Sequence, residues 1–137
     1  MTESGGYSPK DLHFGKDGQS KLISGITKLS DAVKSTLGPM GNTVLIESPH
    51  HTHGITVTKD GVTVAKSIQL LDPVENLAVQ MMKEAADRTA SEAGDGTTTA
   101  IVITEAIVKE GMKLITPKDN KTEVLRDLVS LTEGVIQ

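Results

Sequence analysis

The sequence predicts a mainly α fold, a helical bundle carrying one small β-hairpin, and three observations lead to that expectation. Long stretches repeat apolar residues at the three- and four-residue spacing of one helix face. Two short runs are instead β-branched, and Gly, Pro, Asp and Asn stand where the periodic stretches stop and start. At 137 residues the chain reads as one domain, long enough to bury a core without staples.

In chain order, residues 1–11 are polar, with Gly5, Gly6 and Pro9, and read as a flexible tail. Leu12, His13, Phe14 and Gly15 read as a short strand. From about Lys16 onward Leu22, Ile23, Ile26, Leu29, Val33 and Leu37 share a face of one long helix, stopped by Gly38 and Pro39. The loop Thr36-Leu37-Gly38-Pro39-Met40-Gly41-Asn42 reads first as a helix stop, and second as a backbone surface kept flat for a ligand. Residues 42–47 and 55–58 form the two strands of the hairpin, with 48–54 as its tip. That tip holds His50, His51 and His53, which without a neighbouring carboxylate or thiolate read as solvated loop residues, not metal ligands.

Asp60 reads as the N-cap of a short helix that turns Val64, Ala65 and Ile68 inward, with Lys59 a surface charge; the sharper alternative is that Asp60 orients or deprotonates an attacking water. Asp72, Pro73 and Glu75 open the next helix, Asp72 as N-cap and Glu75 reaching back as in a capping box. Behind them Val74, Leu77, Ala78, Met81, Met82, Ala85 and Ala86 form an apolar stripe that runs toward Gly94 and is read as core. Residues 97–115 are rich in Thr, Ile and Val yet continue without a turn signal, so length favours a helix, buried in its apolar first half. Thr116 and Pro117 end it. Asn120 with Glu123 caps a last helix bearing Val124, Leu125, Leu128 and Val135.

Several function classes drop out. A net charge of −4 without a long basic run makes nucleic acid an improbable partner, and Tyr7 and Phe14 alone offer no stacking platform. No apolar run approaches membrane-spanning length, and cysteine is absent, so a soluble intracellular protein is the expectation. The stretch Gly94-Asp95-Gly96-Thr97-Thr98-Thr99 carries the chemistry. Helix-opening amides from Gly96 onward favour a phosphate, and a carboxylate beside phosphates calls for a cation between them, so Asp95 reads as a Mg²⁺ ligand. Taken alone, the same stretch reads better still as a turn with a threonine cap.

The ordered set of motifs resembles the group I chaperonins, the GroEL-like family. It comprises His13-Phe14-Gly15, Thr36-Leu37-Gly38-Pro39, Thr58-Lys59-Asp60-Gly61, the helix from Glu75 and Asn76 to Ala86, and Gly94 to Thr99. The resemblance implies the first half of an equatorial ATP-binding domain, a helical bundle with a β-hairpin stem loop, over residues 12–137. It implies ATP or ADP, Mg²⁺ and K⁺ as cofactors: Asp95 binding Mg²⁺; Gly96, Thr97, Thr98 and Thr99 holding phosphates; Thr36, Leu37, Gly38 and Pro39 packing on the nucleotide. Lys59 is counted with the nucleotide-binding residues, Thr36, Lys59 and Thr98 are expected near K⁺, and Asp60 is expected to position the hydrolytic water as the catalytic residue. Family members are several times longer, so the intermediate, apical and C-terminal equatorial parts are expected to be absent here. With them would go the second catalytic aspartate and the surfaces for unfolded clients and a co-chaperonin, leaving self-association into rings as the partner expectation and ATP hydrolysis by the chain alone in doubt. A truncated, non-catalytic interaction module is the alternative. Met40 replaces the family's usual basic residue, the N-terminal tail is longer, and residues 116–120 lack the family's Gly-Met-Asn-Pro turn. These departures suggest a divergent, virus-encoded member acting in the cytoplasm of a bacterial host.

Overall fold

The computed structural model describes residues 11–47 and 54–136. Its elements are α1 (Gly15–Lys34), β1 (Val44–Glu47), β2 (Ile55–Thr58), α2 (Gly61–Ser67), α3 (Pro73–Ala93), α4 (Thr97–Leu114) and α5 (Lys121–Ile136). The mainly α expectation with a single hairpin holds: β1 and β2 pair antiparallel with Val44 opposite Thr58 and Glu47 opposite Ile55. The three loop histidines, His50, His51 and His53, lie outside the described residues, as does most of the expected N-terminal tail. The chain divides into two compact units between Glu105 and Ala106.

In the first unit Leu29 and Val33 of α1, Ala65 of α2, Val79, Met82 and Ala86 of α3 and Ile101 of α4 make one core, flanked by Ile26, Ile68, Leu70 and Ala100. Where α1 crosses α3, Gly25 allows the backbones to touch: a Cβ there would run into the Glu75 carbonyl. Around this crossing lies a polar seam. Lys21 binds Asp72 at 2.9 Å, and Glu75 accepts from Lys28 at 2.5 Å and from the Ser24 hydroxyl at 2.7 Å. The Lys21 ammonium foremost, then the Glu75 and Val74 amides, pull the Asp72 carboxyl down to about 2. Lys28 first and Ser24 second lower that of Glu75.

Several local expectations need correction. No strand forms at Leu12 to Gly15. Phe14 is extended (φ −124°, ψ 159°), but it precedes a helix that starts at Gly15, and no ladder partner for it exists among the described residues. The His13 ring nitrogens instead lie 3.1 Å from Asp11 and 3.2 Å from Asp17, tying this segment to the first turn of α1. Helix α1 also ends at Lys34, three residues early. The amides of Thr36 and Leu37 bond the carbonyls of Val33 and Lys34, a tighter turn that rotates Leu37 off the apolar face and leaves it exposed. Glu75 completes no capping box, because its carboxylate is spent on α1; Asp72 alone caps α3, accepting from the Val74 and Glu75 amides.

The α3 stripe is narrower than predicted. Ala78, Val79, Met82 and Ala86 are buried, whereas Leu77, Met81 and Ala85 face out. On α4 only Thr97, Ile101 and Glu105, four residues apart, are buried; Ile103 and Ile107 are exposed, so the helix is not buried all round. In the second unit α5 starts where predicted, the Asn120 side chain accepting from the Thr122 amide, and buries none of its described residues. Among the described residues no helix is long and apolar enough to cross a membrane.

Candidate phosphate and metal site

Three chain segments far apart in sequence end at one point, and that point is Gly61. A Cβ built there would stand 2.7 Å from the Thr98 hydroxyl oxygen and 2.9 Å from that of Thr36. Glycine is therefore the residue that lets the end of α1, the start of α2 and the start of α4 close on each other. Thr36 and Thr98 are brought together at Gly61 by this convergence; Lys59 and Asp60 directly precede that glycine in the chain, and Asp95 lies three residues before Thr98.

The first segment is a closed loop. The Gly41 amide donates to the Gly38 carbonyl at 3.0 Å and the Asn42 amide to that of Ser35 at 2.7 Å, so the backbone folds back across Thr36. The Thr36 hydroxyl donates to the Val33 carbonyl at 2.7 Å. Its proton is thereby committed to α1, and its oxygen lone pairs are what it offers at the site. Leu37, Gly38 and Pro39 of this loop are exposed.

In the second segment Asp60 is both cap and candidate catalyst. Its carboxylate accepts from the Val62 amide at 3.2 Å, the Thr63 amide at 3.0 Å and the Thr63 hydroxyl at 2.6 Å. The Thr63 side chain and then its amide hold the Asp60 carboxyl below its ordinary range. An acid held ionised is a weak proton acceptor but a good anionic acceptor for orienting a water's O–H. Lys59 is exposed beside it; an ammonium repels a cation, so a cation can take only this residue's backbone carbonyl.

The third segment runs from the left-handed C-cap Gly94 (φ 78°) through Asp95 to Gly96 (φ 100°). Asp95 is exposed and accepts from the Gly96 amide at 2.6 Å. Thr97 is buried; Thr98 faces Gly61, and Thr99 is exposed. The opening amides of α4 have no intrahelical acceptors and carry the positive end of the helix dipole. Among the described residues no group of three or more acidic or histidine side chains is placed to hold a metal. A lone carboxylate beside the free amides of a helix start is nevertheless a donor set that would suit Mg²⁺, which takes one or two carboxylates together with substrate phosphates.

Sequence reasoning missed two residues. Gly61 entered only as the end of a motif, and nothing local in the sequence reveals what crowds it. Glu105, 2% exposed, receives the Ser30 hydroxyl at 2.8 Å and the Lys34 ammonium, joining α4 to α1. Its signal was an acidic residue four positions beyond Ile101 on the buried stripe.

Comparison with known proteins agrees with this architecture. The sequence model of the TCP-1/cpn60 chaperonin family matches residues 29–136. Among solved structures, the chaperonin gp146 from bacteriophage EL 2 (Pseudomonas aeruginosa), crystallised in the presence of ATP-BeFx, aligns in one crystal form with a TM-score of 0.75 and 36% identity, over 90% of this chain. In a second crystal form it aligns with a TM-score of 0.61 and 42% identity over 68% of this chain. The present chain spans 21% and 16% of those two chains, respectively. Its motifs, its fold and the extent of the family match together show that the chain belongs to the TCP-1/cpn60 chaperonin family.

Proposed function

We propose that this chain supplies the phosphate and metal half of a Mg-ATP site in a chaperonin subunit whose ATPase cycle drives a ring that assists the folding of non-native proteins. The observation that carries this reading is Gly61, whose missing side chain lets Thr36 and Thr98 meet beside Asp60. In this reading the amides of Thr97 to Thr99, joined by that of Gly96 once Asp95 turns from it to the metal, cradle phosphate oxygens, and Asp95 holds Mg²⁺, which when bound neutralises phosphate charge and polarises the transferring group. Leu37, Gly38 and Pro39 pack against the nucleotide. The Thr36 and Thr98 oxygens and the Lys59 carbonyl hold K⁺. Asp60, kept ionised by Thr63, orients the attacking water instead of deprotonating it early. Self-association into rings, unfolded clients and a lid partner belong to the same reading, and the likeness to a bacteriophage chaperonin supports a virus-encoded subunit acting in a bacterial cytoplasm.

Equilibrium titration of ATP and ADP with and without Mg²⁺ tests it. Affinity is expected to depend on Mg²⁺ and to fall roughly 10–100-fold or more in Asp95→Ala, since even residues behind a metal ligand cost that much. Equal affinity without Mg²⁺, or an unchanged mutant, refutes the assignment. A second reading, an interaction module without turnover, is favoured by the hairpin: among the described residues neither outer edge of the two-stranded sheet is paired, and Leu45, Ile55 and Val57 are exposed on it. Sedimentation of the chain alone and mixed with full-length rings decides, and a monomer that ignores the rings rejects the module.

A further inference from the structure

The sequence contains three Asp-Gly pairs, Asp17-Gly18, Asp60-Gly61 and Asp95-Gly96. All three carry the same intrinsic lability, because glycine leaves its amide nitrogen unshielded toward the preceding carboxyl carbon and lets the backbone reach conformations in which the two approach. The fold treats them differently. Asp17 and Gly18 lie in the first turn of α1, with Gly18 buried and the Asp17 carboxylate 3.2 Å from the His13 ring. The Asp60 carboxylate is occupied by two amides and a hydroxyl, and Gly61 is buried in the first turn of α2. Asp95-Gly96 lies between α3 and α4 and outside both, with an exposed carboxylate and glycines of positive φ on either side. The Gly96 amide donates to Asp95 Oδ1 at 2.6 Å, which keeps its nitrogen beside the carboxyl group.

We propose that Asp95 is a site of spontaneous isomerisation to isoaspartate, and that it converts in preference to the other two Asp-Gly pairs of the folded chain. The Gly96 nitrogen attacks Cγ of Asp95 in its carboxylic acid form. The N–Cγ bond forms, and the acid hydroxyl leaves with the amide proton as water, closing a five-membered succinimide. Water then opens the ring. Attack at Cγ restores aspartate, whereas attack at the main-chain carbonyl breaks the original C–N bond and leaves the chain running through the side chain, with a free carboxylate on Cα. No co-reactant besides water is needed, and the net change is an isomerisation that lengthens the loop ahead of α4 by one methylene. If Asp95 holds Mg²⁺ as proposed above, the product has its carboxylate in the wrong place, but the chemistry itself stands apart from that reading.

The test is to age the folded chain at body temperature for weeks, alongside the same chain in denaturant, and to quantify isoaspartate at each position by electron-transfer fragmentation of proteolytic peptides. In the folded chain Asp95 is expected to convert roughly tenfold faster than Asp17 or Asp60, which react only after local opening, and an opening cost of about 1.4 kcal/mol already gives that ratio. In denaturant the three rates should converge. Equal rates at all three positions in the folded chain overturn the proposal, as does a folded chain in which Asp95 is protected as strongly as the other two. An Asp95→Asn variant gives an independent readout, since the same ring closes with ammonia leaving and the hydrolysed product is heavier. Conversion of that amide in the folded chain at close to its denatured rate supports the proposal, and an amide preserved only by folding contradicts it.

Discussion

Replacing Gly61 by alanine tests the convergence of the three loops directly. The new Cβ would stand 2.7 Å from Thr98 Oγ1, 2.9 Å from Thr36 Oγ1 and 3.2 Å from Thr98 Cγ2, all inside the roughly 3.5 Å at which nonbonded carbon contacts become favourable. These three nearest atoms all belong to threonine side chains, so the strain can be relieved by turning two threonines away from their preferred rotamers, at about 0.5–1.5 kcal/mol each. Alanine returns about 0.4–1 kcal/mol through the unfolded state. The net destabilisation is therefore small, about 1 kcal/mol. The effect on the site is not small, because relief requires both hydroxyls to leave the place where the reading above needs them. Affinity for Mg-ATP should fall by about tenfold or more, the equivalent of about 1.4 kcal/mol. Gly25→Ala is the matched control. Its Cβ would lie 2.9 Å from both the Cα and carbonyl carbon of Glu75, backbone atoms that cannot rotate aside, so α1 and α3 must part at a cost of about 3 kcal/mol. Urea unfolding and nucleotide titration run in parallel should separate the two variants, one losing affinity and the other stability. A Gly61→Ala protein that binds like the wild type, or that loses as much stability as Gly25→Ala, refutes the argument.

Two further outcomes follow from the polar seams. Glu105→Leu removes the acceptor of the Ser30 hydroxyl, which is 0% exposed, and should cost about 1–3 kcal/mol; adding Ser30→Ala should recover part of that loss in urea unfolding, and further destabilisation by the second substitution would contradict it. Acid should loosen the α1–α3 seam. The Asp72 carboxyl is depressed in the folded chain to about 2, from an ordinary 3.8, so its contribution is fully present above pH 3.8 and is lost as pH falls toward about 2, with Glu75 acting in the same sense. Unfolding midpoints followed from neutral pH downward should show this decline, and Lys21→Met should flatten it; a variant with the wild-type acid profile would rule out the Lys21 contribution.

How legible the molecule was depends on whether an element's cause lies within it. The start of α3 was readable because Asp72 and Pro73 supply the cap locally, and the end of the same helix because Gly94 alone takes the left-handed cap. Helix α4 was readable by length against its own propensities. What failed had a distant cause. Glu75 was assigned to its own helix terminus, whereas Ser24 and Lys28, about 50 residues away, claim its carboxylate. The buried face of α3, with Ala78, Val79, Met82 and Ala86, is fixed by where α1 meets it at Gly25 and Glu75, and Leu77, Met81 and Ala85 lie off that face. The site motifs were legible as an ordered set, but their meeting at Gly61 was not, since no segment contains the atoms that crowd another.

The route from core to site is short. Val33, Ala65 and Ile101 belong to one buried cluster. Each lies one helical turn from a site residue: Val33 precedes Thr36, Ala65 follows Gly61, and Ile101 follows Thr98. Packing of the cluster therefore fixes the ends of α1, α2 and α4 with almost no lever arm, and close-packed interiors move little without cost. One turn beyond Ile101, Glu105 joins Ser30 and Lys34 and fixes the same pair of helices a second time, by charge and hydrogen bonding. Two independent ties, one apolar and one ionic, thus set the sliding register of α4 against α1. Register is the coordinate that brings the Thr98 oxygen to Thr36, so the apolar residues at these positions serve the candidate site as directly as the two threonines do.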